Sequence, residues 1–483
     1  MALFGIKEEA LSLELTTAMT QIEAVPFFFI ILYLIYTTSK LDVFDATESA
    51  TPLLYGSVFA SLLAGVLFLS FFDDWGFNHI VLSLEFGIGI VLGLLHPVNA
   101  LCFFVANQFL RPWEVMEPND LMFAMPRAIG VFAITSWALH DLKRRGFKIV
   151  WNQSCVLLLL FGVWLFLTTF KSPDPDMAQT TFFDGTTRNL AVFFLVLNMI
   201  RSKWQLEAVI YTLVLSVSGF AALAVYYAVN HPETTAETGR LSSVSMMGNS
   251  NDLAAVMVMV LPILMVRMLR GGVRAPLLKQ VVLGLMGVLF LGVIWWSKSR
   301  GALLAVIVEV AFFVLLSVRS RKVAIGFGTL MLLSFFPLIS LFNRSAADVS
   351  ESSTSRSLYW KTAVMMALKN PLFGVGFTGY PANFERYAPE VPLEWGNRTA
   401  HSSWFLVLGE TGFIGLFLYV VLFATVFFAA WKIRKELPEI LLVLVGYLMA
   451  ITFLSHSYLI YPYFLMGFVL AAERVYRKPV VDL

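Results

Sequence analysis

Charged residues are scarce in this sequence of 483 residues, because Asp, Glu, Lys and Arg together make up only 14% of it. An ordinary globular domain contains about 25%. A soluble protein of this length needs polar side chains to cover its surface, so the shortage excludes a cytosolic enzyme and a disordered chain. The two cysteines, Cys102 and Cys155, lie in apolar runs, which excludes a disulfide-stapled secreted domain. A formal net charge of +2 gives no bulk attraction to nucleic acid, so no nucleic-acid partner is expected.

Apolar residues take the place of the missing charge. They make up 58% of the chain, with 44 phenylalanines, and the mean hydropathy is +0.78. The apolar runs are continuous and do not alternate with polar residues, which favours membrane-spanning helices over a barrel. We therefore predict an all-α polytopic transmembrane bundle of about 12–15 spans, each of roughly 20 residues. The candidate spans are 24–39, 52–72, 79–95, 97–110, 121–140, 150–170, 188–200, 204–229, 251–268, 279–298, 301–318, 323–342, 403–430, 438–456 and 458–473.

Basic residues gather in alternate connections between these spans. The clusters are Lys143, Arg144, Arg145 and Lys148; Arg201 and Lys203; Arg267, Arg270, Arg274 and Lys279; Arg319, Arg321 and Lys322; Lys432, Arg434 and Lys435; and Arg474, Arg477 and Lys478. The positive-inside rule makes their side cytoplasmic, together with the C-terminus. The connections 171–187, 230–250 and 343–402 then face outward. The acidic N-terminus, with Lys7 as its only base, does not resemble a cleavable signal peptide.

The outward connection 343–402 is much longer than the others, and connections of this length are usually functional or disordered. Helix signals argue against disorder. Three serines offer N-caps, and they are Ser352, Ser353 and Ser355. The Asn370-Pro371 pair is a helix stop. The glycines at 374, 376 and 379 match a dinucleotide-binding pattern by letter, but no βαβ unit surrounds them, so we expect a tight turn there.

Three side chains around this connection are candidates for chemistry. Arg300 lies between two apolar spans on the outer side, and its rigid guanidinium suits a pyrophosphate. Arg356 opens the loop helix, where the helix N-terminus also favours anions. His401 lies where the chain re-enters the membrane, and an ordinary pKa of about 6.5 suits it to proton transfer. On the residues alone, a headgroup contact for Arg300, a solvated charge for Arg356 and a packed ring for His401 stay open.

Metal and nucleotide sites are poorly supported. Two acidic pairs, which helix ends and turns explain equally well, are Asp73 with Asp74 and Asp174 with Asp176. Three acids lie singly in or beside apolar runs, where a proton or ion path is the alternative, and they are Glu85, Asp252 and Glu309. Too few carboxylates converge for a metal site, and no Walker A sequence is present. We expect neither a metal nor a cofactor.

Several short motifs follow one another in an order typical of one bacterial family. They are Gly-Asn-Ser-Asn-Asp-Leu-Ala (248–254), Ser-Arg-Gly (299–301), Arg-Ser-Leu-Tyr-Trp (356–360), Asn-Pro-Leu-Phe-Gly-Val-Gly (370–376), Ala-His (400–401), Gly-Glu-Thr-Gly (409–412) and Gly415. In their order, spacing and sidedness they resemble the O-antigen ligase and polymerase superfamily of polytopic membrane proteins. The resemblance covers roughly residues 245–430. The N-terminal half is similar in hydropathy and in Arg111-Pro112-Trp113.

The resemblance implies a metal-independent, inverting glycosyltransferase at the outer face of the bacterial inner membrane. Its donor would be a glycan on undecaprenyl pyrophosphate, and its acceptor a hydroxyl of a glycan, a lipid or a protein, with membrane lipids as further partners. Arg300 and Arg356 match the family's essential arginines, which would hold the pyrophosphate, and His401 matches its essential histidine, the general base. Four further pocket candidates are Asn251 and Glu410, which match recurring family positions, with Trp360 and Arg398.

Two alternatives and a scaffold role stay open. The first alternative is a polysaccharide polymerase of the same superfamily. The second, from another functional class, is an anion transporter that uses Arg300 and the buried acids. A third, weaker alternative is a structural scaffold in an export complex. The long outer connection favours a transferase, because a transporter needs polar groups near the bilayer midplane. The expected organisation is N-terminal helices over 1–244, a ligase- or polymerase-like core over 245–430, and C-terminal helices with a cytoplasmic tail over 431–483.

Overall fold

A computed structural model describes residues 25–39, 77–112, 120–145, 149–236, 239–241, 249–271, 276–318, 320–340, 346–388 and 398–477. Within these ranges the chain is 84% helical and contains no strand, so the all-α polytopic bundle is confirmed. The helices are α1 (Val25–Ser39), α2 (Phe77–Leu95), α3 (Pro97–Leu110), α4 (Asp120–Arg145), α5 (Gln153–Thr169), α6 (Pro175–Thr181), α7 (Thr187–Met199), α8 (Lys203–Asn230), α9 (Glu233–Ala236), α10 (Ser250–Gly271), α11 (Leu277–Trp296), α12 (Arg300–Ser317), α13 (Arg321–Ser340), α14 (Ala346–Lys369), α15 (Tyr380–Tyr387), α16 (Ser403–Lys432), α17 (Pro438–Ile451) and α18 (Ile460–Arg477).

Five of these helices are long and apolar enough to cross a membrane, namely α8, α10, α11, α12 and α16. Shorter apolar stretches occur at Val25–Thr38, Ile80–Leu95, Pro97–Leu110, Gln153–Thr169, Ile325–Phe335 and Pro438–Ile451. The helices therefore follow the predicted apolar runs. The predicted span 52–72 lies outside the described residues, as do Asp73, Asp74 and the acidic N-terminus.

The spans differ in how far they are covered by protein. In α10, 72% of the most apolar window is buried, whereas in α11 and α12 the share is 22%. Every residue of the short helix α3 is buried, and α8 packs along it. Because α11 turns long apolar side chains outward, lipid is the natural solvent for its outer face, and α3 and α10 form the interior. Cys102 and Cys155 are free and buried, as expected.

Members of four of the basic clusters meet at one end of the bundle. Arg201 forms an ion pair with Asp141 at 2.6 Å, and Arg474 donates to the carbonyl oxygen of Ile200. Arg270, in the last turn of α10, donates to the carbonyl oxygens of residues 435 and 436 at 2.8 and 2.6 Å. At a rise of 1.5 Å per residue, Asn251 at the opposite end of α10 lies about 24 Å from Arg267. Helices that begin or end near Asn251 therefore form a second, separate end of the molecule.

The long connection folds onto that second end. The predicted loop helix is confirmed as α14, and it ends at Lys369, directly before the Asn370-Pro371 stop. Its start differs from the prediction. The helix begins at Ala346, so the three serines that were expected to cap it lie inside it, and they are Ser352, Ser353 and Ser355. A serine caps a helix only where the chain leaves the helical conformation, and inside a helix its hydroxyl can bond to the carbonyl oxygen four residues earlier. Arg356, which was expected to open the helix, lies ten residues after its start, since 356 − 346 = 10, so the N-terminus of α14 does not act on it.

A break in α16 holds this connection in place. Gly412 has φ 68° and ψ −167° inside the helix, a conformation that is open to glycine and strained for other residues. The break frees the carbonyl oxygens of Gly409 and Glu410, which accept hydrogen bonds from the backbone N–H groups of Val375 (2.9 Å) and Gly376 (3.0 Å). Phe413 donates in return to the carbonyl oxygen of residue 371 at 2.9 Å. The glycines at 374, 376 and 379 thus form a tight turn, as predicted, that is clipped to the broken helix.

Replacing Gly412 with alanine should destabilise the protein by about 1–3 kcal/mol, because a Cβ at this φ is strained and would clash with the carbonyl oxygen of Leu372. Thermal unfolding in detergent measures the effect. Gly292→Ala is the matched control, since Gly292 lies in α11 with open space around its would-be Cβ. Equal melting temperatures for the two variants would contradict the role of Gly412 in holding the tight turn against α16.

Candidate active site

A small cleft lies at the end of the bundle away from the basic clusters. It forms where α10 and α12 begin, where α17 ends and where α14 crosses them. The residues that line it include Asn251, Ser299, Gly301, Arg356, Phe453 and Leu454. Two long helices, α10 and α12, start at this cleft, so their N-terminal N–H groups and dipoles make it favourable for an anion.

The two candidate arginines reach this region from different elements. Arg356, on α14, is half-buried, lines the cleft and lies over the ring of Phe453 at 6.0 Å. Arg300 is the first residue of α12, directly after Ser299, whose hydroxyl caps the helix by accepting from the N–H of Ala302 at 3.4 Å. Arg300 is half-buried, and its chain neighbours on both sides line the cleft. The cleft is therefore lined by Arg356 and by the residues on either side of Arg300, which lies 56 positions earlier in the chain, since 356 − 300 = 56.

His401 lies in the turn that precedes α16, near Arg356 of α14. Its ring is 5.6 Å from that of the buried Tyr359, which follows Arg356 by one helical turn. His401 has φ 47°, a left-handed conformation that is uncommon for a residue with a side chain and is often found at functional sites. The backbone and the aromatic contact together fix where this ring lies relative to α14.

Burial and neighbouring cations keep the His401 imidazole neutral. The pKa of His401 is lowered to about 4, first by burial and then by the guanidinium groups of Arg356 and Arg398, while the carboxylate of Asp252 opposes them. Near pH 7 the ring is therefore unprotonated and can accept a proton.

The remaining candidates have distinct surroundings. Trp360 stacks on Phe405 with a centroid distance of 5.0 Å and lies 6.1 Å from Phe453, so it is part of the aromatic wall behind Arg356. Arg398 is exposed. Glu410 is buried and accepts from the backbone N–H of Tyr380 at 3.2 Å, so its contact is with the clipped connection.

Asn251 leads to an arginine that the sequence did not single out. Asn251 lines the cleft and accepts a hydrogen bond from Arg240 at 2.9 Å. Arg240 also donates to the carbonyl oxygen of Ser297 at 2.8 Å, which ties the segment around Arg240 to the turn before α12. The only sequence signal for Arg240 was its position in an outward connection.

Two further acids are placed by their contacts. Asp174 caps α6 by accepting from the N–H of Met177 at 2.9 Å, which agrees with a role in a turn. Asp252, which the sequence left as an isolated acid, is paired with His456 at 2.9 Å between its Oδ1 and the ring Nε2. No local pattern predicts this pair, because the two residues are 204 positions apart.

The model of a family described as O-antigen ligase matches residues 285–420, a range that contains Arg300, Arg356 and His401. This match supports membership of the O-antigen ligase superfamily. A second model, of a family of unknown function, matches residues 79–272 and thus the N-terminal helices. No curated protein matches the chain. Membership of the O-antigen ligase superfamily supports a membrane glycosyltransferase of the ligase or polymerase type.

Removing the Arg356 charge should raise the pKa of His401 from about 4 toward its ordinary value, because this guanidinium opposes protonation of the ring. NMR titration of histidine-labelled protein in nanodiscs measures it for Arg356→Gln, with His401→Gln to assign the signal. Arg434→Gln is the control, since Arg434 lies at the other end of α16 and donates to the carbonyl oxygen of Trp431. If the pKa of His401 were the same in Arg356→Gln as in the wild type, the Arg356 guanidinium would have no electrostatic effect on the ring.

Proposed function

We propose that this O-antigen ligase superfamily member transfers a glycan from undecaprenyl pyrophosphate to an acceptor hydroxyl. The observation that carries the proposal is the cleft that Arg356 lines at the start of α12, next to Arg300, together with the neutral ring of His401 near Arg356. Two guanidinium groups and two helix N-termini favour a doubly charged anion such as a pyrophosphate. A neutral imidazole beside them is suited to take a proton from a hydroxyl.

The transfer consists of one displacement at the anomeric carbon. The acceptor oxygen forms a bond to C1 of the donor sugar as the bond from C1 to the pyrophosphate oxygen breaks. The electron pair of that bond leaves with the undecaprenyl pyrophosphate, and the proton of the acceptor hydroxyl passes to a ring nitrogen of His401. A single displacement inverts the anomeric configuration.

The arginines act on the charge that grows during this step. Negative charge develops on the leaving pyrophosphate, and the guanidinium groups of Arg300 and Arg356 stabilise it more strongly than they stabilise the bound donor. Pyrophosphate is already a good leaving group, so the reaction consumes no nucleotide. The arginines thus assist departure of the leaving group, and His401 activates the nucleophile.

The direction of the chain in the bilayer follows from the basic clusters. The positive-inside rule assigns their end to the cytoplasm, which places the cleft at the outer face of the bacterial inner membrane. The polar candidates gather at helix ends and in the folded connection, which supports a transferase over an anion transporter with its site at the midplane. The acceptor is a lipid, a protein or, for a polymerase, the end of another glycan.

His401→Ala should lower the turnover number by about 10²–10⁴-fold, because the acceptor hydroxyl loses its base. The assay measures glycan transfer from a purified undecaprenyl pyrophosphate donor by reconstituted protein. His231→Ala is the control, since His231 is exposed on an outer connection beside Glu233. Wild-type turnover in His401→Ala would refute the assignment of the base.

Arg300→Lys and Arg356→Lys should each reduce both donor affinity and turnover, although the charge is kept, because lysine cannot donate two parallel hydrogen bonds to one phosphate. Donor titration and steady-state kinetics measure the two effects. Arg386→Lys, at an exposed position on α15, should behave like the wild type. If all three variants were equally active, the arginines would not bind the pyrophosphate in this way.

A further inference from the structure

A carboxylate beside the cleft is held by a buried histidine. Asp252 lies in the first turn of α10, directly after Asn251, which lines the cleft. Its Oδ1 is 2.9 Å from Nε2 of His456, in the connection between α17 and α18. The His456 side chain is 3% exposed, whereas that of Asp252 is 25% exposed. The histidine is therefore inaccessible, and the carboxylate is the member of the pair that substrate or solvent can approach.

The ring of His456 is fixed on its other side as well. Its Nδ1 lies 3.3 Å from the hydroxyl of the buried Tyr447. An ionised carboxylate only accepts hydrogen bonds, so Nε2 carries the proton toward Asp252 and Nδ1 accepts from the Tyr447 hydroxyl. This chain from Tyr447 through His456 to Asp252 sets one tautomer and one orientation of the carboxylate.

The same segment also fixes the turn that carries His401. The backbone N–H of His456 donates to the hydroxyl of Ser403 at 2.9 Å. The hydroxyl of Ser457 donates to the carbonyl oxygen of Ser403 at 2.9 Å. Ser403 is the first residue of α16, two positions after His401. The connection at 456–457 therefore joins the start of α10, which bears Asp252, to the start of α16, next to His401.

Asp252 partly offsets the cations that act on His401. Arg356 from α14 and Arg398 from the preceding turn lower the pKa of the ring, and Asp252 from α10 raises it. When His401 takes a proton, both cations oppose the new positive charge, and the carboxylate favours it. Without this carboxylate the imidazole would be a weaker base toward a sugar hydroxyl.

We propose that Asp252, oriented by His456, is a positioning residue that stabilises the imidazolium formed on His401 during transfer. The inference rests on the proposed function, because it gives His401 the role of base. Asp252 itself neither receives the proton nor touches the reacting carbon. Asp252 therefore affects the rate of the transfer step, whereas the arginines determine how tightly the donor binds.

Asp252→Asn tests this role, since the amide keeps the shape of the side chain and removes its charge. The turnover number should fall by about tenfold or more, which corresponds to one pKa unit of base strength, and the donor KM should stay within about twofold. His456→Gln, which keeps an N–H donor for Asp252, should retain most of the turnover, and His456→Leu should lose it. A merely structural role would lower the melting temperature of Asp252→Asn and His456→Gln alike without this split between turnover and KM.

NMR gives a second readout that does not depend on activity. At pH 4 the imidazole of His401 should be less protonated in Asp252→Asn than in the wild type, because the opposing cations then act unbalanced. An unchanged protonated fraction together with wild-type turnover in Asp252→Asn would overturn this inference alone. Wild-type turnover in His401→Ala would instead overturn the proposed function, whatever the result for Asp252.

Discussion

The requirement that every backbone polar group find a partner inside the protein shapes this molecule most strongly at one point, the break in α16. In lipid an unpaired carbonyl costs several kcal/mol, so a helix is interrupted only where other groups replace its bonds. At Gly412 those groups are the N–H donors of Val375 and Gly376, which belong to the connection after α14. The break thereby anchors the connection to the same helix that begins two residues after His401.

This anchoring explains how a helix outside the span can carry a precise site. Buried aromatic side chains of α14 and α15 pack against the start of α16, with Tyr359 between Phe384 and His401. The hydroxyl of Tyr380 donates to the carbonyl oxygen of Tyr359 at 2.7 Å, which locks the two helices together. Arg356, one turn before Tyr359, is thus held over the cleft by a small core of its own. Rigid support of this kind keeps catalytic groups within productive geometry.

The two ends of the bundle use their cations differently. At one end Arg201, Arg267 and Arg270 are joined to acids or carbonyl oxygens of neighbouring helices, so they fasten the bundle. At the other end Arg356 lines a cleft beside a neutral imidazole, with two helix N-termini pointing at it. The first arrangement is satisfied within the protein, and the second is suited to an anion from outside.

Local sequence patterns predicted the features that depend on neighbouring residues. The apolar runs gave the helices, Asn370-Pro371 gave the end of α14, and the glycines that follow gave the tight turn. The predicted start of α14 was wrong, because a serine does not stop a helix whose backbone continues through it. The pairs Asp252 with His456 and Arg240 with Asn251 had no local signal, because helix packing decides which distant residues meet. The division of the chain at residues 244 and 430 stays a prediction.

A cryo-EM structure of the reconstituted protein with undecaprenyl pyrophosphate tests the central claim most directly. The account predicts density for the two phosphates between the guanidinium groups of Arg300 and Arg356, with the ring of His401 on the side of the departing glycan. Phosphate density elsewhere, for example at the end that bears Arg201 and Arg270, with the cleft empty and the His401 ring turned away, would contradict it.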